Sequence, residues 1–153
     1  PQRDVIGMAE VVDGDTVRVG ASRVRLWGID SPEAAQTCRR ASTGTTGASP
    51  AFAGAGSYAC GMVATGALLH MLDRDPRVTC RQKDTDHYGR PVAVCSNSEG
   101  DLGARMVATG WAVDWPKFSG GAYRDQETAA KAEGLGIWGG SFSLPKSRRE
   151  QRR

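Results

Sequence analysis

Two β-forming runs meet at Asp13-Gly14, Val5 to Val12 before it and Thr16-Val17-Arg18-Val19 after it. Asp-Gly between such runs is a strong hairpin signal, because it suits the tight turns whose twist matches that of the strands they join. Arg23-Val24-Arg25-Leu26 alternates again beyond a second turn at Gly20-Ala21-Ser22. The chain therefore opens as a three-stranded meander.

Residues 41–56 are small, polar and without period, which reads as a flexible loop. Ser57 then caps a helix predicted from Tyr58 to about Leu72, with Ala59, Met62, Val63, Gly66 and Leu69 along one face and Asp73 to Pro76 ending it. Arg77 to Gln82 and Pro91 to Cys95 form a second hairpin about Asp86-His87-Tyr88-Gly89-Arg90. Asp101 caps a short helix in which Leu102 and Met106 lie one turn apart and which Gly110 stops. The last helix runs from Tyr123 to Glu133, with Leu135, Ile137 and Trp138 docking it on the core. Strands grouped early, an inserted helix, two more strands and then helices make this an α+β chain rather than an alternating α/β one. Its 153 residues suffice for a single core and one domain.

The four cysteines, Cys38, Cys60, Cys80 and Cys95, allow three pairings. Cys80 and Cys95 flank the second turn almost symmetrically, so a hairpin sets them opposite each other, and Cys38 with Cys60 then clips the glycine-rich loop to the first helix. No C-x-x-C spacing favours zinc or a redox motif. Two disulfides, each contributing about 3 kcal/mol, point to an oxidising compartment, periplasmic or secreted; the alternative is four buried thiols in a cytosolic protein. The chain begins Pro1-Gln2-Arg3, without Met or an apolar leader, so a signal peptide is expected to have been removed already. No apolar run is long enough to span a membrane, and no membrane partner is expected.

The formal charge is +3, yet Lys146, Arg148, Arg149, Arg152 and Arg153 against Glu150 hold a net +4 in the last residues, which leaves −1 for the rest. The body is not basic. The tail reads as a solvated end, or as a loose arm adding sequence-blind, salt-sensitive affinity for polyanions.

Chemistry concentrates in three motifs: Asp13-Gly14-Asp15-Thr16, then Arg25-Leu26-Trp27-Gly28-Ile29-Asp30-Ser31-Pro32-Glu33, then Tyr88-Gly89-Arg90. Hard carboxylate oxygens suit Ca²⁺ or Mg²⁺. The planar guanidinium fork suits two oxygens of a phosphate. Asp15 has the strand parity of Val17 and Val19, so its carboxylate leans to their side; Asp13 reads as a turn former. Arg25 alternates with Val24 and Leu26 and leaves the face they bury.

With these motifs in this order, from about Val5 to Trp138, the chain resembles the staphylococcal-nuclease (thermonuclease-like) family. The resemblance implies a five-stranded Greek-key OB-fold β-barrel with three α-helices, an architecture that commonly binds oligonucleotides, in a nuclease domain over 1–140 followed by a basic tail over 141–153. It implies a calcium-dependent hydrolase of DNA and RNA, single strands preferred, leaving 3′-phosphate and 5′-hydroxyl ends; Mg²⁺ or Mn²⁺ are alternative cofactors, and a monomer is expected. Asp15 and Asp30 match the calcium carboxylates and the carbonyl of Ser31 a further oxygen ligand. Glu33 matches the general base or water-orienting carboxylate, and Arg25 and Arg90 match the two phosphate-binding arginines. Tyr88 matches a nucleotide-phosphate contact.

Two positions depart from the family pattern. His87 stands where the best-known members carry Lys, and a neutral imidazole keeps one donor but little fixed charge near pH 7. Trp115 stands in the region of the family's base-stacking tyrosines, where it either stacks on a base or packs in the core. The rival reading is a non-catalytic nucleic-acid- or protein-binding module on the same fold; such modules generally lose acidic or arginine members of the site, and here all five matched side chains are present.

Overall fold

The computed structural model of the chain describes residues 4–40 and 56–142. The loop read over 41–56 lies outside them except for Gly56, and so does the basic run 146–153.

Strands β1 (Asp4–Asp13), β2 (Thr16–Val19) and β3 (Ser22–Leu26) form the antiparallel meander, with Val11 opposite Val17 and Val17 opposite Val24. After the short strands β4 (Ile29–Asp30), β5 (Cys38–Arg40) and β6 (Ser57–Tyr58) comes helix α1 (Cys60–Arg74), and then the hairpin of β7 (Arg77–Thr85) and β8 (Pro91–Asn97). The order β3-β2-β1-β7-β8 closes on itself, because Arg25 pairs with Val92 and Leu26 with Ala93 in parallel. This is the expected five-stranded barrel; β9 (Gly100–Asp101) extends one edge. Helices α2 (Leu102–Ala108) and α4 (Arg124–Ala132) match expectation, and between them lie β10 (Val113–Asp114) and the one-turn helix α3 (Pro116–Ser119). A short β11 (Gly140–Ser141) pairs with β5.

Inward alternation fills the barrel with Val17, Val24, Leu26, Val78 and Ala93, and Leu68 and Leu72 of α1 with Leu102 and Met106 of α2 seal it. Each fully buried aliphatic group contributes about 1.5–3 kcal/mol. Asp101 caps α2 as expected, accepting from the Ala104 N–H at 3.1 Å. Both disulfides, Cys38–Cys60 and Cys80–Cys95, are formed, and Cys80 and Cys95 are register partners in the β7–β8 hairpin.

Helix α1 differs from the sequence reading in start and face. Ser57 and Tyr58 are spent in β6, where Tyr58 pairs with Cys38; the helix begins at Cys60 after Ala59 and has no side-chain cap. Its buried face is Cys60, Gly61, Ala64, Leu68, Met71 and Leu72, whereas Met62, Val63 and Leu69 are exposed. The disulfide and the close approach at Gly61 set that rotation: a Cβ there would strike the Glu33 carbonyl oxygen. Of the residues expected to dock α4, Ile137 is buried and Trp138 packs partly buried beside it, but Leu135 is exposed.

Candidate active site

Two hairpin ends and one short strand bring the three motifs together. The β1–β2 turn delivers Asp13 and Asp15, β3 delivers Arg25, and β4 with the following loop delivers Asp30, Ser31 and Glu33. Gly14 in that turn does not use a positive φ; it is small because Ser31 sits against it, where a Cβ would come within 2.9 Å of the Ser31 Cβ. The glycine thus seals the β1–β2 turn onto the β4 end.

Asp15 is 6% exposed and Asp30 3%. Arg25 joins them, with Nη1 3.3 Å from Asp15 Oδ1 and Nη2 3.1 Å from Asp30 Oδ1. Thr16 Oγ1 donates to Asp15 Oδ1 at 3.0 Å and the Ser31 N–H to Asp15 Oδ2 at 3.2 Å. The second oxygen of Asp30, Oδ2, is buried with no hydrogen-bond partner among the described residues. Asp13, Asp15, Asp30, Ser31 and Glu33 all line one cavity of about 130 Å³.

Charge in this cavity is unevenly shared. Burial pushes Asp15 up, but Arg25 and the hydrogen bonds outweigh it and hold the carboxyl below its ordinary range. Burial and the neighbouring Asp15 charge raise Asp30 to about 7 and Asp13 to about 6. Burial disfavours the Arg25 charge, and the acids around it more than restore it. An orphaned buried carboxylate oxygen beside acids that resist ionisation together is a donor set short of positive charge. Hard oxygens of this kind fit a divalent cation. Among the described residues no three acidic, His or Cys side chains stand ready to cage a metal by themselves, so a cation here would draw its other oxygens from the backbone and water.

A larger cleft of about 520 Å³ opens beside the cavity, and Arg25 and Glu33 line both. One wall is the β7–β8 turn, with Asp84, Asp86, His87, Tyr88 and Arg90; the other is aromatic, with Trp27, Trp115 and Phe118. Asp86 organises the turn: its Oδ1 accepts from the Tyr88 N–H at 2.9 Å and the Arg90 N–H at 2.8 Å, and its Oδ2 accepts from Arg90 Nε at 2.7 Å. Slight burial raises Asp86, but these bonds outweigh it and lower the carboxyl. With Nε engaged, the Arg90 guanidinium is held beside the Tyr88 ring, its carbon 5.4 Å from the ring centre, and among the described residues its terminal nitrogens form no ion pair. His87 and Tyr88 are exposed with rings 4.0 Å apart. Trp115 lies beneath the Arg25 guanidinium at 5.4 Å and edge-on to Phe118 at 4.5 Å. One ring face is thus covered by an arginine, and Nε1 is buried without a partner among the described residues. Gly28, at φ +76°, lies against Ser119, where a Cβ would be 3.0 Å from the serine Cβ, and its carbonyl accepts from the Trp115 N–H at 2.9 Å. That contact zips the β3–β4 turn to α3 and makes the aromatic wall continuous.

Every residue singled out from the sequence except the cysteines therefore borders the cavity or the cleft. Sequence reasoning missed Asp86, whose place in a turn gives it the ordinary role of a turn former, and Phe118, which one-turn helices hide from periodicity. Asp13 was read as a turn former and is one, accepting from the Asp15 N–H at 3.1 Å; it also lines the acidic cavity.

The family model of the staphylococcal nuclease homologues matches residues 23–140, more than half of the chain. A succinoglycan biosynthesis protein, ExoI, of Rhizobium meliloti (strain 1021) is 33% identical over 135 residues, which cover 88% of this chain and 64% of that protein. The chain thus spans just under two thirds of the length of the curated relative it matches.

Proposed function

The chain belongs to the staphylococcal nuclease homologue family, and from that premise we propose that it is a calcium-dependent nuclease. It hydrolyses phosphodiesters of DNA and RNA with little regard for the sugar, prefers single strands, and leaves 3′-phosphate and 5′-hydroxyl ends. The observation that carries this reading is the convergence of Arg25, Glu33 and Arg90 on one cleft beside a buried, cation-deficient acid cluster.

Asp15, Asp30 and the Ser31 carbonyl would hold the cation, which when bound supplies positive charge against the phosphate and the attacking water. Arg25 and Arg90 grip the phosphate from two sides, and their charge is worth most as the phosphorus gains a fifth oxygen and a further negative charge. Arg25 is already oriented by Asp15 and Asp30, and Arg90 by Asp86, so neither loses much freedom on binding. Glu33 is exposed at the junction of cavity and cleft, where a water within hydrogen-bond reach of it can give up a proton. Electrons then pass to the 5′ oxygen, which leaves with a proton and yields the hydroxyl end. Tyr88 and His87 flank the phosphate at the outer wall, and Trp115 carries Arg25 on one face while its exposed edge contributes to the aromatic wall.

Residues 1–140 form the nuclease domain in this reading and 141–153 a basic tail that adds salt-sensitive affinity. The two disulfides support a periplasmic or extracellular location, and among the described residues no helix is long and apolar enough to cross a membrane. The name of the succinoglycan-biosynthesis relative favours a second reading, a non-catalytic nucleic-acid- or protein-binding module; the intact set of two arginines and three acids favours the enzyme. Digestion of plasmid, single-stranded DNA and RNA across Ca²⁺, Mg²⁺ and Mn²⁺, with end-group analysis, tests the proposal. Products with 5′-phosphate ends would overturn the scheme, and inertness with every metal would leave the binding module.

A further inference from the structure

Glu33, the water-activating carboxylate of the proposed scheme, is exposed. Where an exposed side chain reaches depends on how firmly its backbone is held, and here the hold comes from a residue further along the same loop. Gln36 closes a turn on Glu33: its N–H donates to the Glu33 carbonyl at 2.8 Å, and its side-chain Oε1 accepts from the Glu33 N–H at 3.3 Å. Both main-chain polar groups of Glu33 are therefore tied to one glutamine.

Gln36 is tied in turn to helix α1. The helix has no side-chain cap; the Gly61 N–H in its first turn donates instead to the Gln36 carbonyl at 3.1 Å, which fills one of the donors that a helix start leaves open. The Glu33 carbonyl passes so close over Gly61 that a Cβ there would strike it. Cys38, two residues after Gln36, is bonded to Cys60, the first residue of the helix, and Cys60 Sγ stands 3.5 Å from the Gln36 carbonyl oxygen. Further along α1, Leu68, Met71 and Leu72 are packed in the core. A continuous line thus runs from the core through α1, the disulfide and Gln36 to Glu33.

We propose that Gln36 is the positioning residue of Glu33, and that the Cys38–Cys60 disulfide holds Gln36 in that role; this rests on the reading of the chain as a nuclease in which Glu33 takes a proton from the attacking water. Gln36 lines neither the acidic cavity nor the cleft, so it acts on the reaction through the loop it closes. With Gln36 in place, the Glu33 carboxylate starts from a fixed backbone and spends its time near the water; without it, the loop samples other conformations and the reacting geometry is reached less often. Metal and phosphate are gripped by other residues, so binding is left as it was. Cys80–Cys95 braces the β7–β8 hairpin instead, and its contribution is to stability.

The test compares Gln36→Ala, Gln36→Glu, Cys38→Ala/Cys60→Ala and Cys80→Ala/Cys95→Ala with the parent, on single-stranded DNA at saturating Ca²⁺ and below every melting midpoint. Gln36→Ala should lower kcat about tenfold with KM and calcium affinity unchanged. Gln36→Glu keeps an acceptor for the Glu33 N–H and should hold kcat within about threefold of the parent. The two disulfides join residues 22 and 15 positions apart, so their removal should cost comparable stability, yet only Cys38→Ala/Cys60→Ala should lose kcat, by about tenfold or more. A parental kcat in Gln36→Ala, a loss carried by KM, or equal kcat losses in the two cysteine variants overturns the proposal. Amide hydrogen exchange at Gln36 and Gly61, followed in EDTA, reads the anchor without turnover. A parent that cleaves nothing sinks the nuclease reading, whereas exchange still decides the anchor: faster exchange at both amides in Gln36→Ala and in Cys38→Ala/Cys60→Ala upholds it, and parental protection overturns it.

Discussion

Arg25 Nη2 sits 3.1 Å from Asp30 Oδ1 while the other oxygen of the same carboxylate, Oδ2, is buried and unpartnered. One guanidinium thus half-satisfies an acid that burial, and then Asp15 on the other arm of Arg25, tend to keep protonated. The arrangement is poised between two ways of neutralising the acids, a proton or a second cation.

Removing Arg25 should therefore cost stability as well as activity. Arg25→Ala leaves Asp15 and Asp30 buried without their shared partner, and breaking such a pair costs about 3 kcal/mol or more. Calcium at a hundred times its dissociation constant should return about 2.7 kcal/mol. Urea unfolding of parent and variant with EDTA and with Ca²⁺ measures this; a variant as stable as the parent in EDTA contradicts it.

The raised acids fix the sign of a pH effect. Asp30 at about 7 and Asp13 at about 6 bind their protons more tightly folded than at the ordinary 3.8. Their contribution is therefore complete below pH 3.8 and is lost as pH rises through 6 and 7. The lowered acids, Asp15 and Asp86, act in the opposite sense but below pH 3.8, outside that window. In EDTA the stability contributed by the cluster should fall from pH 5 to pH 8, and saturating Ca²⁺, which needs the ionised acids, should flatten or reverse the slope. Urea midpoints across about four pH values decide it; the Asp30→Asn variant should lose most of the metal-free slope, and a slope unaltered by that substitution contradicts the assignment.

Asp86 should act through Arg90. Asp86→Asn keeps an oxygen for the Tyr88 and Arg90 backbone N–H groups but turns a donor towards Arg90 Nε, so the turn persists while the guanidinium loses its orientation. A fall in kcat of about ten- to a hundredfold with KM nearly constant is expected. Arg90→Ala should cost about a hundred- to a thousandfold. The double variant should be no slower than Arg90→Ala alone; additive losses would make Asp86 merely structural.

Two glycines of α1 separate close approach from helix propensity. Gly61→Ala forces a methyl group into the Glu33 carbonyl, which should cost about 1–3 kcal/mol and displace the catalytic loop. Gly66 faces open space, so Gly66→Ala should stabilise by about 0.5–1 kcal/mol with unchanged kcat. Melting curves and initial rates of the two variants test the pair, and equal effects would contradict it.

These positions also mark how far the sequence could be read. The two hairpins were legible because strand alternation and turn chemistry are local, and the barrel only through the family order of the acidic and arginine motifs; the ion pairs of Arg25 with Asp15 and Asp30 were not read from the sequence. The buried face of α1 was not, since its first contacts are made by Cys60, Gly61 and Ala64, whose smallness serves close packing and carries no apolar signal, whereas Met62, Val63 and Leu69 look like core and face outward. Gly14 was legible as a turn but its reason was not: the requirement is contact with Ser31, seventeen residues on, rather than backbone conformation. Trp115 lies beyond strand parity altogether, because its place under Arg25 follows from the pairing of β10 with β4.

The most direct measurement is the initial rate of single-stranded DNA cleavage by the parent and by Glu33→Gln and Arg90→Ala, each in Ca²⁺ and in EDTA. Cleavage by the parent that EDTA abolishes is expected, with a loss of about a hundredfold or more in each variant that otherwise folds and binds calcium as the parent does. Parental cleavage that persists in EDTA, or variants that cut at the parental rate, would contradict it.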